Sequence, residues 1–399
     1  MGQAKAGARL IGIAVFAVTM ISMAAVGVLI PLMPQLSTQL RVPMTKLSFA
    51  IALFSFPSAI AATLMGGVID RVGARRTLLS ALAFGVLGDL VIHFAASFLA
   101  LCAGVLLAGV AFAFIVVAAP AYLMTNLRGA ERTRAMSLWS TYAPTGFACG
   151  LLLAAPFTGT QHASWAILVH AGLLAAGCIA SSIIIPEEPP VPHAGGALSD
   201  NVRMIRDVLC SGAILRLSVA LTIPSLISYG TSMIAPSYLA STYGISLAAS
   251  SSAVAVAKIC ALLIGGMSMG VMLVRKANAN LLFAILVAVG AVAQFLLFFP
   301  GSGLLTATAA MIVWLFCYSG VSAICFALLP VFNRGASQAA AAGVANQIIS
   351  LGSFTAAPVY FAIHFWPGFV LTAVVGLLLA LMSLPRAGSA KSVPLSVSP

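Results

Sequence analysis

Charge is what this sequence has least of. Only 7% of its 399 residues are charged, and seven of them are acidic, where a soluble domain carries about 25%. A hydrated globular surface is therefore excluded. The ~10-residue stretches of alternating polarity that mark a membrane β-barrel are also missing. The seven cysteines lie mostly inside apolar runs, without disulfide or metal-ligand spacing, and read as small core hydrophobes. The five histidines are scattered, with no H-E-x-x-H and no Ser/His/Asp set, so an intramembrane enzyme is not expected. There is no P-loop, which argues against ATP-driven transport by this chain. No cofactor and no metal are expected.

What is present is apolar length. Hydrophobic residues make up 62% and the mean hydropathy is +1.13. Long apolar runs recur from end to end, as in a polytopic α-helical membrane protein. Twelve spans are predicted, near residues 10–33, 47–69, 77–96, 99–124, 135–157 and 165–185, then 213–241, 247–273, 279–299, 303–331, 339–363 and 366–384. The N-terminal run, preceded by Lys5 and Arg9, is kept as the first span because no small-residue cleavage site follows. The expected units are a six-helix bundle over 1–185, a loop over 186–212, a second bundle over 213–385 and a tail over 386–399. In the loop, Ser199 and Asp200 precede apolar residues at helical spacing (Val202, Ile205, Leu209), which predicts a short interfacial helix.

The net charge of +12 suggests nucleic acid until the charges are placed. With both termini cytoplasmic, sixteen of the nineteen Lys and Arg fall on the cytoplasmic side. Arg41 and Lys46 fall on the other, and Lys258 lies within a span. The basicity is thus the positive-inside signal of a multi-pass protein of the plasma or inner membrane, and no nucleic-acid partner is expected. Trp165 and Trp366 at outer ends, and Trp139 at an inner end, suit interface anchors.

The chain also matches itself. "TMISMAAVG" from Thr19 meets "TIPSLISYG" from Thr222 at an offset of 203. "MGGVIDRVGARR" meets "MGVMLVRKANAN" at 204 from Gly66 and Gly270 onward, and "RGAERTRA" meets "RGASQAAA" at 206. Three matches with nearly constant offset, in equivalent places of the two halves, indicate a duplicated six-helix unit.

The loop between the second and third spans holds Gly66, Asp70, Arg71, Gly73, Arg75 and Arg76. In that context the chain resembles the major facilitator superfamily of secondary transporters, whose signature there reads roughly G-x-x-x-D-R-x-G-R-R; Ala74 stands where arginine is usual. The resemblance implies an all-α fold of twelve spans in two six-helix pseudo-repeats, with spans 1, 4, 7 and 10 lining a central cavity. It also implies a gate in which Asp70 accepts bonds from the start of span 11, here Ser337 to Gly343, where the helix dipole favours an acid. The second copy has Val274 in place of the acid, so the gate is asymmetric. "STYAPTGFACG" in span 5 loosely resembles the family's antiporter motif, but Ala143 and Phe147 replace its glycines.

Within the cavity that the resemblance implies, Lys258 is the sharpest candidate. A midspan charge costs at least ~2.5–3.5 kcal/mol, and no neighbouring span supplies an acid on its inner half, so a ligand or water is the expected partner. Tyr229, Trp314, Tyr318, Asn346, Gln347 and Ser22, with Thr19 weaker, complete the substrate-binding candidates. Asp89 and His93, four apart on span 3, are expected to bond to each other and are the proton-coupling candidates. His170 and His364, close to span ends, read as interface residues. Prolines 57, 120, 144, 224, 236 and 358 are expected to kink their helices.

The expected function is secondary active transport of a small organic solute by alternating access. Scarce acid disfavours a cationic cargo, so an anionic or zwitterionic solute moved with or against protons fits best. Efflux of neutral amphipathic compounds, or a transporter-like sensor without turnover, stays open. The expected partners are that solute, a proton or other coupling ion, and the bilayer, with the chain a monomer.

Overall fold

The computed structural model of the chain describes residues 2–139, 141–187, 211–274, 278–332, 338–363 and 365–385. They form fourteen α-helices: α1 (Gly2–Leu40), α2 (Met44–Ala52), α3 (Phe56–Val72), α4 (Ala74–His93), α5 (Phe98–Asn126), α6 (Gly129–Trp139), α7 (Tyr142–Ala154), α8 (Trp165–Ile184), α9 (Gly212–Tyr243), α10 (Leu247–Val274), α11 (Ala279–Phe298), α12 (Leu304–Phe332), α13 (Gln338–Ala362) and α14 (Trp366–Ser383). Nine described stretches are long and apolar enough to cross a membrane. The remaining three of the twelve expected places are filled by α6 with α7, by α10 and by α13.

Two spans expected to be continuous are broken. The second divides into α2 and α3 at residues 53–55, and Pro57, at the start of α3, has no N–H to carry a helix through. The fifth divides into α6 and α7, and Pro144, in the first turn of α7, has no N–H to donate. Pro120, Pro224, Pro236 and Pro358 remain inside single helices. Gly73 has φ +93°, closing α3 and opening α4 at once, in a conformation that costs glycine no Cβ clash. The helix expected behind Ser199 and Asp200 lies outside the described residues.

Packing repeats between the halves. α1 packs on α7 and α8, as α9 packs on α13 and α14; α4 packs on α5 and α8, as α11 packs on α12 and α14. Close approach depends on glycine at matching places. A Cβ at Gly27 would overlap the Phe147 carbonyl oxygen, and one at Gly146 would overlap the Met20 carbonyl oxygen. In the second half, a Cβ at Gly230 would overlap the Tyr360 ring, and one at Gly352 would meet Thr222 Cγ2 at 2.7 Å. Gly27 and Gly230 are 203 apart and Gly146 and Gly352 are 206 apart, the offsets seen in the sequence. Small residues permit such contact where lipid offers no hydrophobic drive between helices. The two halves meet where α7 touches α10 and where α2 and α3 touch α13, with the Phe56 and Phe354 rings 5.4 Å apart in the latter seam.

Candidate functional site

Lys258 lies at the α7–α10 seam and is buried. Its Nζ donates to Ser232 Oγ at 2.9 Å, and that hydroxyl donates onward to the Ser228 carbonyl at 2.7 Å. The ammonium also lies 4.2 Å from the Phe147 ring centroid and 5.4 Å from that of Tyr229. These two rings stand perpendicular, 6.3 Å apart, so the cation occupies the corner of two π faces. Among the described residues no carboxylate comes within ion-pair distance of it. Beside the ligand or water expected from the sequence, the fold itself gives Lys258 a hydroxyl and two rings. The charge itself remains without a counter-ion among the described residues.

More aromatic groups surround this corner. Tyr142, Tyr229 and Tyr318, from α7, α9 and α12, lie within electrostatic reach of one another. The Tyr318 hydroxyl is 3.3 Å from Ser225 Oγ on α9. Tyr142 packs beside Trp139 at 4.9 Å and Phe112 at 6.2 Å between ring centroids. The structure therefore brings together Lys258, Tyr229 and Tyr318 of the candidates. It adds Phe147, Tyr142 and Ser232, which sequence reasoning missed. The available signal was "STYAPTGFACG", where an aromatic residue stands in place of a motif glycine.

Trp314 does not belong to this group. It is 1% exposed and turned against α11, where a Cβ on Gly290 would meet its ring at 2.9 Å. It is i−4 from Tyr318, but the α11–α12 contact claims its face. Thr19 donates to the Val15 carbonyl at 2.7 Å within α1, so its hydroxyl proton is used inside the helix. Ser22 is buried in α1. Gln347 is partly buried in α13, while the side chain of Asn346 lies outside the described residues. A cleft of about 450 Å³ between α11 and α12 is lined by apolar residues such as Val289, Val292 and Val313, with Thr306. These three valines are exposed, so the cleft opens sideways from the bundle and is not the Lys258 site.

Asp89 and His93 do not bond to each other. Asp89 Oδ2 lies 2.6 Å from His170 Nδ1 on α8, and His170 Nε2 lies 2.7 Å from the Ile21 carbonyl oxygen on α1. Both side chains of the pair are buried, at 3% and 1% exposure. His93 Nδ1 instead faces the Ser164 carbonyl oxygen at 3.0 Å, just before α8. The i, i+4 spacing is intact, but α8 packs along α4, and each residue meets a separate partner, one on α8 and one at its N-terminal edge. His170, expected at an interface, is a core residue; His364 lies outside the described residues.

Around the loop motif, Arg75 grips the end of α8. Its Nε donates to the Ile185 carbonyl at 2.7 Å and a terminal nitrogen donates to the Ser182 carbonyl at 2.8 Å. An exposed Glu187 lies 3.3 Å from the other nitrogen. A cation on the unpaired carbonyls of a helix C-terminus is favoured by the dipole. Arg71 and Arg76 are exposed. Gly66 and Asp70 are in α3, but their surroundings, and the Ser337 end of the expected latch, lie outside the described residues.

Known proteins agree with this architecture. The family model described as the Major Facilitator Superfamily matches residues 15–357. A search by sequence among curated proteins finds no match. Among solved structures, the chain is similar to a bacterial homologue of the human lysosomal transporter Spinster, captured inward-facing and unoccupied. That likeness has a TM-score of 0.77 at 12% identity, over 97% of this chain and 99% of that one. The occupied form of that homologue gives 0.70 at 14% identity, over 95% and 96%. A point mutant of the nucleoside transporter NupG gives 0.73 at 14% identity, over 94% of this chain and 100% of that one. With the family model spanning most of its length, the chain belongs to the Major Facilitator Superfamily and is a secondary transporter of a small solute, not an enzyme.

Proposed function

We propose that this transporter carries an organic anion, or a zwitterion presenting its carboxylate, with an apolar body that lies against aromatic rings. The observation that carries this reading is the Lys258 ammonium between α7 and α10, buried with one hydroxyl and two π faces and no carboxylate among the described residues. Such a cation has its positive charge stabilised but not neutralised, and an incoming carboxylate completes it. Phe147, Tyr142, Tyr229 and Tyr318 supply apolar surface with a few polar edges, the usual make-up of a small-molecule site. Because the seam joins the two halves, a solute held there contacts both, which suits rocking of units 1–185 and 213–385 about it.

The remaining parts follow from the same reading. The end of the bundle with Arg75 faces the cytoplasm by the positive-inside rule. Asp70 and the start of α13 form a latch at that end, supported by the sharp Gly73 turn between α3 and α4. The solute moves together with, or in exchange for, protons.

The test is transport by purified protein in proteoliposomes, using labelled aromatic and aliphatic carboxylates first chosen by a thermal-shift screen. Lys258→Ala is expected to lower uptake by about tenfold or more, the equivalent of ~1.4 kcal/mol of lost binding. Unchanged uptake removes the lysine from the site. The aromatic lining also suits a neutral amphipathic solute. Transport of such a compound would survive Lys258→Ala and fall in Phe147→Ala, which separates the two readings.

A further inference from the structure

We infer that Asp89 and His170 form a proton-binding site, inside the first bundle and away from the substrate seam, that acts on the Lys258 corner through α1. His170 presents one ring nitrogen to a carboxylate oxygen at 2.6 Å and the other to a backbone carbonyl oxygen at 2.7 Å. Both partners are acceptors. A neutral imidazole has one N–H and one bare nitrogen, so it satisfies only one of them while Asp89 is ionised. For both contacts to be hydrogen bonds, the pair needs one proton more than a carboxylate beside a neutral imidazole. It rests on His170, or on Asp89 as O–H donating to Nδ1; the count is the same. Release passes that proton to water and leaves a carboxylate and a neutral imidazole. A bare nitrogen then faces an oxygen, and one of the two bonds must break.

The groups facing this pair do not take over the proton. α1 brings no titratable side chain between Arg9 and Arg41. On α4, His93 is occupied by the Ser164 carbonyl, and Arg75 and Arg76 are at the far end of the helix. α8 brings Cys178, which donates to the Leu79 carbonyl at 3.6 Å. α5, packed on the other side of α4, brings Cys102 and Tyr122, whose hydroxyl donates to the Pro186 carbonyl. α7, packed on α1, brings Tyr142 and Cys149.

The path to the substrate seam is short and made of backbone. Ile21 adjoins Met20, whose carbonyl oxygen is the atom a Cβ at Gly146 would overlap. Gly146 adjoins Phe147, whose ring covers Lys258. A shift of α1 at Ile21 presses on α7 at the residue next to that ring. Neither contact has slack, and tightly packed interiors pass displacement on. The proposal rests on the Lys258 reading only at this last link.

The experiment uses the full chain in lipid vesicles, with ¹⁵N-labelled histidine and ¹⁵Nζ-labelled lysine observed by solid-state NMR through the range where histidine titrates. It needs no solute. At about pH 6 His170, assigned by its loss in His170→Gln, is expected to show the proton-rich bonded state, with the Lys258 signal moving at the same midpoint as the pair. Asp89→Asn is expected to keep the fold, because its amide N–H satisfies Nδ1 of a neutral imidazole while Nε2–H still donates to Ile21. In that variant the histidine stays neutral and the Lys258 signal loses its step. No titration step in the His170 ring nitrogens of the unsubstituted protein, neither protonation of the ring nor a change in the bond at Nδ1, or a Lys258 signal that ignores the pair, overturns the inference. Either result leaves the transport test of Lys258 standing on its own.

Discussion

Lys258 sits between the halves of the molecule with a serine hydroxyl and two ring faces, and with no opposite charge beside it among the described residues. Asp89 and His170 sit inside the first half as a pair, with a backbone carbonyl closing the last valence. Both centres are buried, yet they bear on the fold in opposite ways. In the pair, each group is the other's compensation, and removing one strands the other. Removing Lys258 strands no charge, because its neighbours are neutral.

The sharpest way to break this contrast is His170→Leu, which leaves Asp89 buried with no partner. The expected loss is ~3–5 kcal/mol, read as a large fall in thermal unfolding temperature in detergent, with most of it recovered in Asp89→Leu/His170→Leu. Equal losses in the single and double variants would show that the pair does not act as a unit.

Next in size is a comparison of the two glycine contacts. Gly27→Ala drives a Cβ into the backbone of α7, so α1 and α7 must separate. Gly230→Ala meets the Tyr360 ring, a side chain. Overpacking of this kind costs ~1–3 kcal/mol, and Gly27→Ala is expected at the upper end. Gly230→Ala is expected to be milder and to be relieved by Tyr360→Leu, while no side-chain change relieves Gly27→Ala. Unfolding temperatures of the four variants measure the difference.

The smallest effect is expected for Lys258→Met, within ~1 kcal/mol of the unsubstituted protein in stability. It leaves only the Ser232 hydroxyl, which still donates to Ser228, short of one bond worth ~0.5–1.5 kcal/mol. The aliphatic replacement offsets part of that loss. Destabilisation as large as that of His170→Leu would make Lys258 a structural residue and remove the contrast.

How far the sequence carries depends on the range of the signal. Glycine at 73 marked a tight turn because a positive φ is a local property. The duplication was visible because the offset between Gly27 and Gly230 is written in the chain. Lys258, Tyr229 and Tyr318 were legible as polar or aromatic residues placed where lipid-embedded helices make them costly or unusual. The i, i+4 spacing of Trp314 and Tyr318 names a face of α12 but not the neighbour that covers it, and Trp314 packs on α11. Asp89 and His93 share one face of α4 but meet different partners, His170 on α8 and the Ser164 carbonyl just before it. His170 is 81 residues from Asp89 and 149 from Ile21, and no periodicity links such positions.

The sequence alone determined that this chain lies in a bilayer, that its spans come in two related sets, and which few residues carry charge within them. Each follows from composition, run length or repetition, which act along the chain. Only the tertiary structure decided that Lys258 meets Phe147, that Asp89 meets His170, and that Trp314 faces α11. Those pairings depend on which helix packs beside which and at what rotation, set by small-residue contacts such as Gly27 on α7 and Gly230 on Tyr360. In a membrane, close packing and satisfied polar groups select the neighbour, and neither is a property of one helix by itself.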